Sequence, residues 1–155
     1  VWFSDIVEEE LLHLEPLIFE AGNNLIQEIE SDLWMYGDSS QLKRMVQNLL
    51  ENAIKYSEER GQIRIELTKQ RERLQFVVFN TGRTLTQDQM KHIFERFYRV
   101  DEARDRSAGA GGYGLGLSIV QAIVQEHKGK ITVQSQAGEG TWFTVTFSLW
   151  RGVKE

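Results

Sequence analysis

Apolar positions recur every three or four residues in three stretches of the chain, which is the spacing of one face of an α-helix. The first stretch follows capping residues at Ser4-Asp5 and ends at Ala21-Gly22. The second begins at Asp38, which with Gln41 three positions later resembles a capping box, and continues to about Ser57. The predicted helices are therefore about 5–21, 39–57 and 115–127.

Alternation of apolar and polar residues predicts strands between these helices. The clearest pair is a hairpin, with strands at 61–67 and 74–79 and a turn at 71–73. Further strands are expected at 24–29, around Trp34-Met35-Tyr36, at 130–135 after a helix stop at Gly129, and at 141–149. The order is α, ββ, α, ββ, a long polar connection, α and ββ. This order predicts the α+β class, with helices on one face of a mixed sheet.

Composition and charge narrow the function classes. A chain of 155 residues with 41% hydrophobic side chains suits a single domain with one buried core. The net charge of -5 disfavours general nucleic-acid binding. The chain has no cysteine, and no stretch approaches the roughly 20 apolar residues needed to span a bilayer. We therefore expect a soluble domain in a reducing compartment, and the start at Val1 suggests a piece of a longer polypeptide.

Asn48, Asn52 and Lys55 share one face of the second helix, because offsets of four and seven residues are near whole turns. This face borders the apolar face rather than opposing it, as expected at the edge of a cleft. Amide oxygens suit a hard cation such as Mg²⁺, and the lysine supplies a point charge for phosphate. An ordinary solvated face is the alternative interpretation.

The polar connection from 84 to 112 is longer than most loops of a compact domain and ends in glycines. Five of the 13 glycines lie between Gly109 and Gly116, directly before the third helix. Glycine amides and a helix N-terminus together favour phosphate binding. No strand precedes the run and no Gly-Lys-Ser/Thr follows it, so neither a dinucleotide fingerprint nor a P-loop is indicated. A flexible linker is the alternative interpretation.

Four motifs, in order, resemble those of sensor histidine kinases. Residues 48–57 resemble the N box, 93–101 the F box, 112–117 the G2 box, and 138–143 the closing Gly-x-Gly-Thr-x-Phe element. The resemblance covers nearly the whole chain. It implies the two-layer α/β sandwich shared with gyrase B and the ninety-kilodalton heat-shock chaperones. In that fold three main helices cover one face of a mixed, mostly antiparallel sheet, and a flexible ATP lid would span about 84–111.

The resemblance also implies roles for particular residues. Asn52 and Asn48 would contact Mg²⁺ and phosphates, Lys55 would touch the phosphate chain, and Tyr56 would line the nucleotide pocket. Arg99 would reach the transferring γ-phosphate, where a guanidinium suits the developing charge; an ion pair with Asp101 or Glu95 is the alternative. Phe94 and Phe97 are interpreted as anchors of the lid. The remaining residues expected to bind the nucleotide are Gly112, Gly114, Leu115, Gly116 and Thr141.

The adenine end departs from the family pattern. The family's G1 box is usually Asp-x-Gly-x-Gly, whereas this chain has Asn80 and Thr84 at two of the three signature positions and retains Gly82. The Asn80 oxygen can accept the hydrogen bond from the adenine amino group, but a neutral bond is roughly half as strong as a charge-assisted one. We expect adenine recognition to survive in weakened form.

No histidine fits the family's phosphoacceptor pattern, which is a His followed by an acidic residue with Pro five positions after the His. His13 is followed by Leu14, and Pro16 lies only three positions on. His127 is expected at a helix C-terminus and His92 in a short helix before the F box. The phosphoacceptor domain is thus expected to be absent, and the chain is expected not to phosphorylate itself.

Three functions remain open at this stage. The first is the ATP-binding catalytic domain of a two-component sensor histidine kinase. It would use ATP and Mg²⁺ and act on its own dimerisation and histidine phosphotransfer domain, and through it on a response regulator. The parent would be a membrane-anchored homodimer with this domain in the cytoplasm, without direct membrane or nucleic-acid contact. The others are a gyrase-B-like ATPase, disfavoured because Asn48 stands where those enzymes place a Glu base, and a degenerate nucleotide-sensing or docking module.

Overall fold

The computed structural model describes residues 1–98 and 116–150 of the chain. Four helices and five strands lie in these ranges, and we number each kind in chain order. The helices are α1 (Phe3–Glu20), α2 (Ser39–Tyr56), α3 (Gln87–His92) and α4 (Gly116–Glu126). The strands are β1 (Asn24–Ile29), β2 (Gln62–Gln70), β3 (Arg73–Asn80), β4 (Lys130–Gln136) and β5 (Gly140–Ser148).

The strands form one mixed sheet in the order β1-β2-β3-β5-β4. Only the β1–β2 pairing is parallel, and the other three pairings are antiparallel. The expected hairpin of β2 and β3 is present, with Gln70 opposite Arg73 and Arg71 at φ 60° in the turn. In the β3–β5 pairing, Asn80 lies opposite Thr141, which brings two predicted site residues together at one end of the sheet.

The core lies between α1, α2 and α4 and one face of the sheet, so the predicted α+β sandwich is confirmed. Phe3 shows how the layers meet, because its ring packs edge-on against Phe76 of β3 and Phe147 of β5, with centroid distances of 5.7 and 5.9 Å. Burying such aromatic side chains supplies much of the stability of a small core. The buried strand residues include Ile63, Ile65, Leu67, Leu74, Phe76, Val78, Phe143, Val145 and Phe147.

The predicted strand around Trp34-Met35-Tyr36 is wrong. Its residues make a single bridge, between Trp34 and Trp2, and join no sheet. The Met35 N–H donates to the Val1 carbonyl at 2.9 Å, and the Val1 amine donates to the Met35 carbonyl at 2.7 Å. Leu33 and Met35 are buried, as the alternation predicts. Their backbone groups, however, bond to Val1 and Phe3, and the Trp34 carbonyl accepts from the Trp150 N–H at 2.9 Å.

The predicted cap of the first helix is also wrong. Helix α1 begins at Phe3 and has no side-chain cap. The buried Ser4 hydroxyl instead donates to the Glu30 carbonyl at 2.7 Å and accepts from the Leu33 N–H at 3.0 Å. Ser4 was expected to cap this helix, but the backbone groups that it bonds belong to the loop after β1.

The ends of α2 and α4 that lie away from Asn80 are tied together by one histidine. Asp38 caps α2 by accepting from the Gln41 N–H at 2.9 Å, as predicted. The Asp38 N–H donates to His127 Nε2 at 3.0 Å, and His127 Nδ1 is 2.8 Å from the Ile123 carbonyl. These two bonds require the neutral ring with its proton on Nδ1.

The stop after α4 is made by two residues rather than by Gly129 alone. Lys128 adopts the left-handed conformation, with φ 58°. The Gly129 N–H then donates back to the Val124 carbonyl at 2.9 Å, as in a Schellman motif. Gly129 is needed for space, because an added Cβ would lie 2.5 Å from Phe147 Cδ1.

Candidate nucleotide site

Residues from five parts of the chain line a pocket at the end of the sheet where β3 finishes. The lining side chains are Asn52, Tyr56, Asn80, Arg83, Leu85, Ile93, Leu117, Thr141 and Phe143. Amide, hydroxyl and aromatic groups here face an otherwise apolar wall, which is the usual composition of a small-molecule site. The free space between the side chains is only about 20 Å³, close to the volume needed for one water molecule.

Helix α2 supplies the polar side of the pocket. Of the site residues predicted on this helix, Asn52 and Tyr56 line the pocket, whereas Asn48 lies one turn earlier, outside the lining. Lys55 also lies outside the lining, with its Nζ 5.2 Å from the centre of the Tyr56 ring. Glu51 is exposed and does not line the pocket.

Asn80 is the most deeply buried polar side chain of the site, with 2% of its surface exposed. Its Nδ2 donates to the Thr81 carbonyl at 2.9 Å. A carbonyl only accepts hydrogen bonds, so the orientation of the amide is fixed. Oδ1 is therefore the atom that Asn80 offers to a ligand, and it is an acceptor.

Gly82 allows the chain to turn past the end of α2. It has φ 111°, forms a bridge with Ser57, and an added Cβ would lie 2.6 Å from the Glu58 nitrogen. Thr84 stands where the family pattern has a further glycine, but it is not among the described residues with positive φ. The backbone at Thr84 therefore accommodates a side chain without left-handed strain.

Hydrogen bonds fix the segment after Gly82 to the sheet. The Arg83 N–H donates to the Tyr56 carbonyl at 3.2 Å, and the Arg83 carbonyl accepts from Thr141 Oγ1 at 3.1 Å. Thr141 Oγ1 is also 2.8 Å from Ser135 Oγ, which accepts from the Leu85 N–H at 2.8 Å. Thr141, predicted as a ligand contact, supports the pocket wall in this structure.

The first part of the segment predicted as a lid contains a capped helix. Thr86 and Gln89 form a capping box at the start of α3. Phe94 packs against Phe143 with ring centroids 6.1 Å apart, in agreement with its interpretation as an anchor. Phe97 does not fit that interpretation, because 64% of its surface is exposed and its φ is 66°.

His92 lies at the end of α3 beside two carboxylates. A hydrogen bond to Glu95 at 2.6 Å, together with the charges of Glu95 and Asp88, raises the pKa of His92 above its ordinary value of 6.5. His92 is confirmed in the short helix before the F box.

The glycine end of the site is described only from Gly116 onward. No described atom lies within 4 Å of a Cβ built on Gly116, so packing in the described part of the chain does not require glycine there. Leu117, one residue on, lines the pocket. The predicted site residues Arg99, Gly112, Gly114 and Leu115 lie outside the described residues.

Five lining residues were not predicted as site residues from the sequence: Arg83, Leu85, Ile93, Leu117 and Phe143. Ile93, Leu117 and Phe143 stand in the F box, the G2 box and the closing element, and could have been inferred from these motifs. No sequence motif marks Arg83 or Leu85 as a site residue. Their backbone bonds to Tyr56 and Ser135 place them, and these bonds depend on the folded sheet.

A larger open groove lies elsewhere, beside α3, β4 and the outer face of the sheet. Its volume is about 930 Å³, and its lining includes Met90, Lys91, Gln134 and Trp142. None of the predicted site residues lines it. The smaller pocket is the better candidate, because the asparagine and threonine side chains converge there.

Within residues 1–98 and 116–150 no cluster of three or more His, Cys, Asp or Glu side chains could hold a metal ion. Amide oxygens such as those of Asn52 and Asn48 remain the candidate protein donors for a cation. None of the helices in these ranges is long and apolar enough to cross a membrane.

Comparisons with known proteins agree with this geometry. The sequence profile described as "Histidine kinase-, DNA gyrase B-, and HSP90-like ATPase" matches residues 37–151. Sensor histidine kinase RppB of Synechocystis is 42% identical over 147 residues, which cover 94% of this chain and 31% of RppB. The chain thus spans about a third of the length of this curated relative.

Solved structures share the fold. The catalytic domain of histidine kinase ThkA superposes with a TM-score of 0.79 at 24% identity, over 93% of this chain and 90% of that domain. Full-length ShkA, solved in complex with AMPPNP, gives a TM-score of 0.83 at 23% identity, over 99% of this chain and 31% of ShkA.

Proposed function

Because the chain belongs to the family of histidine kinase-, DNA gyrase B- and HSP90-like ATPases, we propose that it binds Mg·ATP and donates the γ-phosphoryl group to a histidine on a separate dimerisation domain. The observation that carries the proposal is the convergence of Asn52, Tyr56, Asn80 and Thr141 on one pocket. These residues come from α2, β3 and β5 and belong to three separate sequence motifs.

The base end of the pocket suits adenine. Asn80 Oδ1 accepts a hydrogen bond from the exocyclic amino group, because its own Nδ2 is engaged by Thr81. Guanine carries an oxygen at the corresponding ring position, so the same acceptor would face another acceptor. Tyr56 and the apolar side chains of Ile93, Leu117 and Phe143 pack against the ring.

The phosphate end extends along α2 toward the start of α4. Asn52 and Asn48 would hold Mg²⁺, which when bound neutralises charge on the phosphates. Lys55 supplies a further positive charge, and Gly116 leaves room for a phosphate near a helix N-terminus. Arg99 and the glycines at 112 and 114 are proposed to complete this end. Their role is to position the phosphates for in-line attack.

The residues favour transfer to a histidine over hydrolysis. A hydrolase needs a base that orients water beside the γ-phosphate, and the amide of Asn48 is a poor base. Glu51, the nearest carboxylate on α2, is exposed and lies outside the pocket lining. We therefore propose that the acceptor is external: a histidine of the parent protein's own dimerisation domain, in a cytoplasmic homodimer that passes the phosphoryl group to a response regulator.

The deciding experiment mixes the domain with radiolabelled Mg·ATP and the histidine-bearing domain of its parent protein. Acid-labile phosphohistidine is expected on the partner and not on this chain. Asn52→Ala should lower ATP affinity roughly tenfold to a hundredfold, the usual effect of losing a bond to a charged group. Glu51→Gln, on the exposed side of the same helix, is the matched control and should change neither binding nor transfer.

Three outcomes would contradict the proposal. Phosphohistidine on the isolated chain would show that it carries its own acceptor. Steady ATP turnover by the isolated domain that Glu51→Gln abolishes would identify a hydrolase. ATP binding without transfer to the partner would identify a nucleotide-sensing module.

A further inference from the structure

The outward face of α1 carries an exposed apolar stripe, formed by Leu12, Pro16 and Phe19. Leu12 and Phe19 are 72% and 77% exposed, and Pro16 is exposed as well. Offsets of four and seven residues are near whole turns, so the three side chains lie in a row along about 10 Å of the helix. The stripe lies opposite the residues that α1 buries in the core, which are Phe3, Ser4, Ile6, Val7, Leu11, Leu14 and Ile18. Packing within the described fold therefore does not account for it.

Carboxylates surround the apolar stripe. Helix α1 has six acidic residues and no lysine or arginine. Five of the acidic residues project within about 80° of Leu12 around the helix axis: Asp5, Glu8, Glu9, Glu15 and Glu20. None of these five makes a salt bridge with another residue of the ranges 1–98 and 116–150. The stripe thus lies in a negatively charged surface.

Pro16 adds a backbone acceptor to this surface. It lies inside α1 and has no N–H, so the Leu12 carbonyl cannot accept the bond that the residue four positions later usually donates. That carbonyl depends on other donors. Lysine and arginine side chains are donors, and they also carry the charge that the surrounding carboxylates attract.

The negative charge selects among the surfaces that could cover the stripe. A second copy packed symmetrically would bring its own acidic α1 against this one, and like charges oppose that contact. An anionic membrane surface or a nucleic acid would be repelled for the same reason. A basic amphipathic helix fits both features, because its apolar side chains can interdigitate with those of α1 while its lysine or arginine side chains pair with the carboxylates.

We propose that the outward face of α1 is a docking surface for a basic amphipathic helix of a partner protein. The apolar face of that helix covers Leu12, Pro16 and Phe19. Its flanking cations pair with Glu15 on one side of the stripe and with Glu20 on the other. No residue of α1 lines the nucleotide pocket, so the proposal goes beyond the proposed function and does not depend on it.

The test is an NMR titration of the isotopically labelled domain with a synthetic helical peptide. The leucines of this peptide recur at positions i, i+3, i+4 and i+7, and lysines flank them. Chemical-shift changes are expected on α1, around Leu12 and Phe19. A second peptide, with glutamate in place of every lysine, should not bind, because its charge has the same sign as that of α1.

Variants separate the apolar contribution from the charge. Phe19→Gln should weaken binding of the lysine peptide roughly tenfold to a hundredfold, as the loss of a central aromatic side chain commonly does. Tyr36→Gln is the matched control, because Tyr36 is 68% exposed but lies outside α1, and it should leave the affinity unchanged. The double variant Glu15→Gln and Glu20→Gln should weaken binding and reduce its dependence on salt. Its control is Glu139→Gln, which removes an exposed carboxylate between β4 and β5.

Four results would refute the docking surface: no binding of the lysine peptide, shift changes away from α1, equal affinity of the two peptides, or unchanged affinity in Phe19→Gln. Concentration-dependent dimerisation of the unmodified domain that Phe19→Gln abolishes would instead identify a second copy as the occupant. Mg·ATP affinity should be the same in Phe19→Gln and the unmodified domain. Failure of this proposal can therefore be distinguished from failure of the proposed function.

Discussion

At the scale of single residues, Asn80 is held by a hydrogen bond that the family's usual aspartate could not make. Asn80 Nδ2 donates to the Thr81 carbonyl at 2.9 Å, and Asp would bring a carboxylate oxygen against that carbonyl. We predict that Asn80→Asp lowers the free energy of unfolding at pH 7 by about 1–3 kcal/mol, the cost of an unmet buried polar group. Urea unfolding without nucleotide measures this.

The control is Asn52→Asp, the same chemical change on a half-exposed helical side chain. Its cost should be smaller, because water can solvate the new carboxylate there. Equal stability of Asn80→Asp and the unmodified protein would show that the Thr81 contact is not important. At this position of the G1 box, the amide of Asn80 thus suits the Thr81 carbonyl that it contacts.

His92 gives a pH-dependent prediction at the same scale. Its pKa is raised by the Glu95 hydrogen bond, so the contribution of protonated His92 to stability is complete below about pH 6.5 and disappears as the pH rises through the raised pKa. Glu95→Gln should bring the pKa back toward 6.5. An NMR titration of the His92 ring measures it, with exposed His13 as the internal control. An unchanged His92 titration in Glu95→Gln would refute the assignment.

At the scale of elements, the end of α4 combines a strained residue with a crowded one. Lys128 has φ 58°, a conformation that costs L-residues roughly 1–2 kcal/mol, and its role suits glycine. We predict that Lys128→Gly raises the free energy of unfolding by about 1 kcal/mol. Gly129→Ala should lower it by about 1–3 kcal/mol, because the new Cβ would collide with Phe147.

Urea unfolding of both variants provides the measurement, and each serves as the control for the other. If both substitutions changed stability in the same direction, the assignment of the left-handed position to Lys128 would be wrong. From sequence alone Gly129 was taken as the stop. The sequence did not show that Lys128, and not Gly129, adopts the positive φ. A glycine at a helix end can be required either for its backbone conformation or because a side chain would not fit, and the sequence does not distinguish these two reasons.

The elements with a clear repeat were predictable, and those that depend on distant partners were not. The periodicity of α2 and the alternation of β2 and β3 were enough to find them. The segment around Trp34 alternates equally well, yet its backbone partners are Val1, the start of α1 and the Trp150 N–H, all distant in the sequence. These long-range hydrogen bonds determine the structure of the segment, and the alternation of apolar and polar residues does not predict them.

At the scale of the whole molecule, the motifs predicted the chemistry of the pocket better than its shape. Asn52, Tyr56, Asn80 and Thr141 come together as expected, because the pairing of β3 and β5 sets Asn80 opposite Thr141. The sequence could not predict that Arg83 lines the pocket. Its position depends on the folded backbone, which places the guanidinium carbon 5.5 Å from the centre of the Tyr56 ring.

The distribution of tryptophans has a consequence for optical experiments. Trp2, Trp34 and Trp150 form a cluster beyond the end of β5, with Trp34 and Trp150 ring centroids only 4.3 Å apart. The fourth, Trp142, lies next to Thr141 at the opposite end of that strand, with its ring 4.6 Å from Phe79. Intrinsic fluorescence of this domain therefore has two spatially separate sources: three indoles that report on the packing of Trp2, Trp34 and Trp150 against one another, and a single indole in the open groove on the outer face of the sheet.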